Sequence, residues 1–175
     1  MDQLKKFELS APRFTKGPFQ LIAGFGGRFT QETAGRIPQL WDTFLPELGK
    51  VPSQIGEETY GVCCNPDGEG GFEYIAGVAI SKLDDLPERY RWIELQEQSY
   101  AVFEHHGPLD TLAQTFQAIW KQWLPQSGYA AVDAPEFERY SADFNPDAGT
   151  GRISASCDRP SCSLFSGGHR HPGPA

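Results

Sequence analysis

The chain has 175 residues, 39% hydrophobic and 13% aromatic, which suffices for one sizeable core and is too short for two ordinary domains. A formal net charge of -8, with neither a Lys/Arg cluster nor a helix-turn-helix pattern, argues against a surface built for a nucleic-acid backbone. No apolar run approaches the roughly 20 residues that span a bilayer, and residues 1–6 are charged where a secretion signal needs an apolar stretch, so a soluble, cytoplasmic chain is expected.

Residues 19–27 read as a strand that ends at glycine. Next comes an amphipathic helix, with Ile37, Leu40, Trp41, Phe44 and Leu45 at helical spacing; Pro46 and Gly49 close it. Residues 59–64 have strand character, and the adjacent Cys63 and Cys64 should point to opposite faces, one buried and one exposed. The spacing of the four cysteines is not that of a secreted disulfide framework, so these two read as structural thiols. Asn65-Pro-Asp-Gly68 favours a tight reversal into a β-rich run, residues 72–80, and the polar residues 81–88 form a connector. Residues 92–95 then read as an approach strand to the second half of the chain.

That second half repeats the first. Phe116, Ile119, Trp120, Trp123, Leu124, Pro125 and Gly128 match Ile37, Leu40, Trp41, Phe44, Leu45, Pro46 and Gly49, each pair 79 residues apart (120 minus 41). Residues 99–107 match 19–27, and Glu138-Arg-Tyr140 matches Glu58-Thr-Tyr60 at a spacing of 80 (140 minus 60). Each copy therefore reads β-α-β-β, and the fold class is α+β by duplication. The two tryptophan helices should be equivalent, with Tyr60 and Tyr140 on equivalent strands.

Five stretches, Thr59-Tyr-Gly-Val-Cys63, Phe72-Glu-Tyr-Ile-Ala-Gly-Val78, Tyr100-Ala-Val-Phe-Glu-His-His-Gly107, Ile119-Trp-Lys-Gln-Trp-Leu-Pro-Gln-Ser-Gly128 and Phe137-Glu-Arg-Tyr140, together resemble the GyrI-like, or bacterial transcription activator effector-binding, domains. That resemblance implies two β-α-β-β units about a pseudo-two-fold axis, with a central cleft for small organic ligands. It implies an effector-binding module standing alone, with no cofactor, whose protein partner would be a transcription regulator or DNA gyrase. It also brings two rival readings, since one branch of the family hydrolyses strained-ring toxins and other members inhibit DNA gyrase by protein contact.

Binding a lipophilic cation requires aromatic faces and a partly desolvated carboxylate. Trp41, Tyr60, Tyr74, Tyr100 and Trp120 are the candidates for the aromatic wall, with core packing as the competing role for the tryptophans. Glu73 and Glu138 are the candidate acids, although alternation turns Glu73 away from Tyr74, so one cleft does not readily hold both. His105 and His106 have no spaced nucleophile or third partner, which gives a hydrolytic triad little support. Cys157, Cys162, His169 and His171 fit no standard zinc spacing, and Gly24-Phe-Gly26-Gly27 is neither GxGxxG nor a P-loop, so no metal or nucleotide is implied.

The end of the chain departs from the resemblance. Carrying the first copy's last strand forward by 80 puts Glu73 on Ile153 and Ile80 on Pro160, where alternation is absent. Residues 152–175 have the Ser, Gly, Pro and His composition of a disordered tail. A reading-frame change near Arg152 accounts for this, and the expected organisation is an effector-binding domain over residues 1–151 followed by an aberrant tail. At most a few residues near Ile153 should pair with the sheet, and disorder is expected from Pro160 onward.

Overall fold

The computed structural model describes residues 8–145 and the backbone path of Ile153–Asp158. The order is β1 (Arg13–Gly17), β2 (Gln20–Phe29), α1 (Ile37–Phe44), β3 (Gln54–Cys64), β4 (Phe72–Ile80), β5 (Arg91–Leu95), β6 (Gln98–His105), α2 (Leu112–Ala118), a π turn (Ile119–Trp123), α3 (Leu124–Ser127), β7 (Glu136–Tyr140) and β8 (Ile153–Asp158). The fold is α+β, and the two β-α-β-β copies are β2-α1-β3-β4 and β6-α2-β7-β8.

The sheet order β1-β6-β8-β7-β3-β4-β2-β5 reads symmetrically outward from the β3–β7 seam, as a two-fold axis requires. Its two edge strands are exchanged. The strand β5, expected to approach the second copy, pairs with β2 of the first, while β1 pairs with β6 of the second. The reason lies in one continuous ladder. Arg13 faces Val102 and Gly17 faces Gln98, and beyond Pro18 and Phe19 the same register resumes with Gln20 facing Leu95 and Gly24 facing Arg91. On a flat sheet β1 and β2 would lie six strand spacings, roughly 29 Å, apart. The three Cα steps from Gly17 to Gln20 reach at most about 11 Å. The sheet therefore curls until its ends meet in this ladder, which leaves both halves with little open edge.

Both helices lie on one face. Against α1, which contributes Phe44, pack Ala23, Tyr74, Ala76 and Val78, and against α2 and the π turn, which contributes Ile119, pack Ala101 and Phe103. The helix-free face is inside the curl and holds Ile22, Tyr60, Val62, Ile75, Leu95, Tyr100, Val102 and Phe137. The sequence ends each helix as expected. Pro46 lies in a short 3-10 turn after α1, and Gly128 adopts φ 75° at the end of α3, the left-handed conformation that closes a helix. The second helix differs in its π turn directly before Pro125, where the wider backbone eases the clash of the proline ring with the carbonyl one turn back.

The last strand is present. Ile153–Asp158 lies between β6 and β7, with Glu138 facing Ala155 and Phe103 facing Ala155 from the other side. Val78 pairs with Thr59 and Ala155 pairs with Glu138, and Thr59 and Glu138 lie on the same face, so the copies' last strands are related by an odd offset and the carried-forward 80 put each residue on the wrong face. Residues 159–175, on which the expected disorder falls, lie outside the described residues, as do 146–152.

Candidate functional site

The strand β7 crosses the middle of the sheet, and its alternation sorts its side chains by face. Glu136, Glu138 and Tyr140 point to the helices, Phe137 and Arg139 into the curl. Buried Glu138, 4% exposed, receives the hydroxyl of Tyr74 in a short hydrogen bond to Oε1. Tyr140 donates to the same oxygen at 3.3 Å, and Trp41 Nε1 donates to the Tyr74 hydroxyl at 3.0 Å. The Trp41 ring stands edge-on to Tyr140 at 5.4 Å, and Phe144 packs against Tyr140 at 5.0 Å. No cation pairs with Glu138 among the described residues.

Burial sets the electrostatics here. Desolvation pushes the Glu138 carboxyl up to about 7, against the opposing effect of the two tyrosine hydrogen bonds. The same desolvation, together with the nearby carboxylate, holds the phenols of Tyr74 and Tyr140 well above their usual range, so both remain donors. Cys63, half-buried beside Glu136 and Glu138, is raised well above the ordinary thiol range by desolvation first and those acids second, which leaves it an inert thiol at neutral pH. Cys64 is buried on the opposite face, pushed up to about 12 by burial.

A second acid–aromatic pair lies beside the first. Trp120, from the π turn, donates its Nε1 to Glu136 Oε2 at 2.8 Å, and burial raises the Glu136 carboxyl against that bond. The two repeat tryptophans thus reach the same strand from the two helices. In the strand pairing, Thr59 faces Tyr140 and Gly61 faces Glu138. Across the seam the first copy sets small residues against the acid and the phenol of the second.

Tyr60 and Tyr140 lie on equivalent strands, as expected, but on opposite faces of the sheet. On β3 Tyr60 faces Arg139, inside the curl, whereas Tyr140 on β7 points to the helices. A one-residue slip exchanges faces, so the likeness of Glu58-Thr-Tyr60 to Glu138-Arg-Tyr140 does not survive as spatial equivalence.

Of the sequence candidates, Trp41, Tyr74 and Glu138 come together, with Trp120 alongside. Tyr60 and Tyr100 meet on the other face through Phe137, at ring distances of 6.0 and 5.4 Å. Glu73 is buried apart from both groups, where it accepts from Arg91 Nε and Asn65 Nδ2, each at 2.8 Å. Burial alone would raise its carboxyl, but these two bonds bring it below the usual value, and Glu73 serves as a clamp between β4, β5 and the Asn65 turn. His105 is likewise structural: Nδ1 lies 2.6 Å from the Thr115 hydroxyl and Nε2 3.2 Å from the Pro108 carbonyl oxygen, tying the start of α2 to β6.

Sequence reasoning missed two members of the site. Tyr140 stands in one of the five motifs but was not among the aromatic candidates. Gly61 was missed because its role depends on register: a Cβ there would stand 2.0 Å from the Tyr74 hydroxyl and 2.2 Å from Glu138 Oε1. Gly61→Ala should therefore break the Tyr74–Glu138 bond and lower stability by about 1–3 kcal/mol, as overpacking does. Chemical denaturation checks this, and a variant as stable as the parent would show that the pair can shift freely.

The family model for the GyrI-like small molecule binding domain matches residues 10–150. The transcriptional regulator BrlR of Pseudomonas aeruginosa is 34% identical over 110 residues, a span covering 62% of this chain and 40% of that protein. The chain thus spans well under half the length of that relative. Among solved structures, SAV2435 bound to tetraphenylphosphonium superposes with a TM-score of 0.72 at 17% identity, covering 87% of this chain and 95% of that one. An integron cassette protein from Vibrio cholerae superposes with a TM-score of 0.62 at 18% identity, covering 86% and 97%. At these identities the two structures share the fold. With the matched region taking in the first copy, the second up to its last strand, and the helix-face site, the chain belongs to the family of GyrI-like small-molecule-binding domains.

Proposed function

We propose that the chain binds small hydrophobic organic cations at the helix face around Glu138, as the sensing or sequestering part of a response to such compounds. The observation that supports this is a buried carboxylate ringed by Trp41, Tyr74 and Tyr140 without a counter-cation among the described residues. A lipophilic cation brings the missing charge and, unlike a hydrated metal ion, loses little solvation on entering an aromatic setting. The description of SAV2435 as bound to tetraphenylphosphonium points to the same ligand class. The relative named as a transcriptional regulator suggests a cytoplasmic role in gene control, with any contact to DNA or to a regulator made outside this domain. No helix among the described residues is long and apolar enough to cross a membrane.

Titration with tetraphenylphosphonium, followed by tryptophan fluorescence, tests the reading. Micromolar binding, roughly -8 kcal/mol, is expected. Tyr74→Phe, which keeps the ring and removes the donor to Glu138, should alter affinity by less than Trp41→Ala, which removes an aromatic face. Absence of binding by the parent protein to a panel of lipophilic cations would overturn the proposal.

A further inference from the structure

The helix-free face holds a second cleft that the helix-face reading does not use. It has a volume of about 200 Å³ and draws its walls from β1, β2, β3, β5, β6 and β7. Its floor is Tyr60, Tyr100 and Phe137, and its rim carries Arg13, Lys16 and Arg139. No carboxylate is among the residues that line it, and the one acid bonded to its lining, Glu58, stands at its edge. In a chain of net charge -8, three cations around an aromatic floor form a local reversal of sign.

β7 produces that reversal. Its alternation sends Glu136 and Glu138 to the helices and Arg139 into this cleft, so one sheet separates an acidic aromatic site from a basic aromatic one. Arg13 and Lys16 are exposed on β1 and have no ion pair among the described residues. Arg139 has a long, exposed contact of 3.7 Å to Glu58, a pair weak enough for an incoming anion to displace. The hydroxyl of Tyr60 also donates to Glu58, at 3.4 Å, so that acid stands at the rim and would turn as the anion enters. The backbone of β1 closes directly over the floor, since a Cβ on Gly17 would lie 2.5 Å from the Tyr100 ring.

We infer that this cleft is a second ligand site, for a small aromatic anion bearing a carboxylate, sulfonate or phosphate, with its ring on Tyr60, Tyr100 and Phe137 and its charge toward Arg13, Lys16 and Arg139. Cation and anion sites then lie back to back across the sheet. The inference is independent of the helix-face reading, because the two sites share no side chain.

The test uses matched probes: naphthalene-2-carboxylate, its uncharged amide, and tetraphenylphosphonium, each titrated by calorimetry into the full chain. The carboxylate should bind, the amide at least about tenfold more weakly, and the carboxylate's affinity should fall as salt is raised. Arg13→Gln combined with Lys16→Gln, both exposed and tolerant of change, should weaken the carboxylate at least about tenfold and leave tetraphenylphosphonium unchanged. Arg139→Gln should weaken it as well, and Glu138→Gln should not. No carboxylate binding, equal binding of acid and amide, or displacement of the carboxylate by tetraphenylphosphonium in direct competition would each overturn the second site. Failure of tetraphenylphosphonium alone would overturn only the helix-face proposal.

Discussion

Replacing Glu138 by Gln is expected to raise the stability of the unliganded protein at pH 8 by up to about 3 kcal/mol while lowering its affinity for a lipophilic cation at least about tenfold. The folded carboxyl sits near 7, above its ordinary value of 4.5, so the folded state binds this proton more tightly than the unfolded state does. Between those two values the native protein holds more protons, and stability falls as pH rises. The cost is absent below the unfolded value and complete above the folded one. The parent should therefore gain stability on acidification from pH 8 to about 5.5, and Glu138→Gln should flatten that part of the profile. Cation binding runs the other way. It needs the ionised acid, whose population rises from roughly one tenth at pH 6 to roughly nine tenths at pH 8, so affinity should tighten by about an order of magnitude over that interval. Melting temperature and Kd measured across pH check both halves. A flat parent profile in each would mean that Glu138 is already ionised in the folded protein.

Phe44→Ala is expected to cost about 3–5 kcal/mol and to weaken cation binding as well. Phe44 is fully buried at the end of α1, edge-on to Phe25 at 5.7 Å and to Trp41 at 6.2 Å. Removing the ring takes apolar area from the core and also the support that holds Trp41 over Tyr140. Phe44→Leu refills most of the volume without the aromatic edge, so it should recover most of the stability and less of the binding. Urea denaturation and ligand titration of the two variants separate these contributions. Equal recovery of both by Leu would show that Trp41 is held by the Tyr74 hydroxyl rather than by this contact.

How far the residues could be read depended on whether a feature was periodic or registered. The tryptophan helices were legible because their apolar residues repeat at helical spacing and both stop at Leu-Pro with a following glycine. The turn after β3 was legible too: Asp67 Oδ1 accepts the backbone N–H of Glu69 and of Gly71, the local capping that residue type favours. Glu73 facing away from Tyr74 followed from alternation and holds in the structure. Pairing between distant segments was not legible. The exchange of β1 and β5 rests on pairing between segments 75 to 81 residues apart (Gln20 with Leu95, Gly17 with Gln98), for which no local signal exists. Tyr60 was grouped with the other aromatic candidates into one wall, but neighbouring strand positions lie on opposite faces, and Tyr60 faces Arg139 rather than the acid. The closing strand was sought at a fixed offset, whereas β8 sits in a different register. Its composition gave no warning, because backbone pairing asks little of side chains.

The continuous ladder carries a further meaning for how such a molecule can arise. Each copy alone would leave β3 or β7 without its central neighbour and β1 or β5 without any partner, since the strand preceding each copy is satisfied only by the other. A polypeptide encoding one copy could close its sheet only by meeting a second identical polypeptide across a two-fold axis, using the same two seams as an isologous dimer interface. Fusing the two genes would keep every hydrogen bond while freeing each half to change separately. Such freedom would allow Thr59 and Gly61 to stay small on one strand of the seam while an acid and a phenol face them from the other, an asymmetry that an obligate homodimer could not hold.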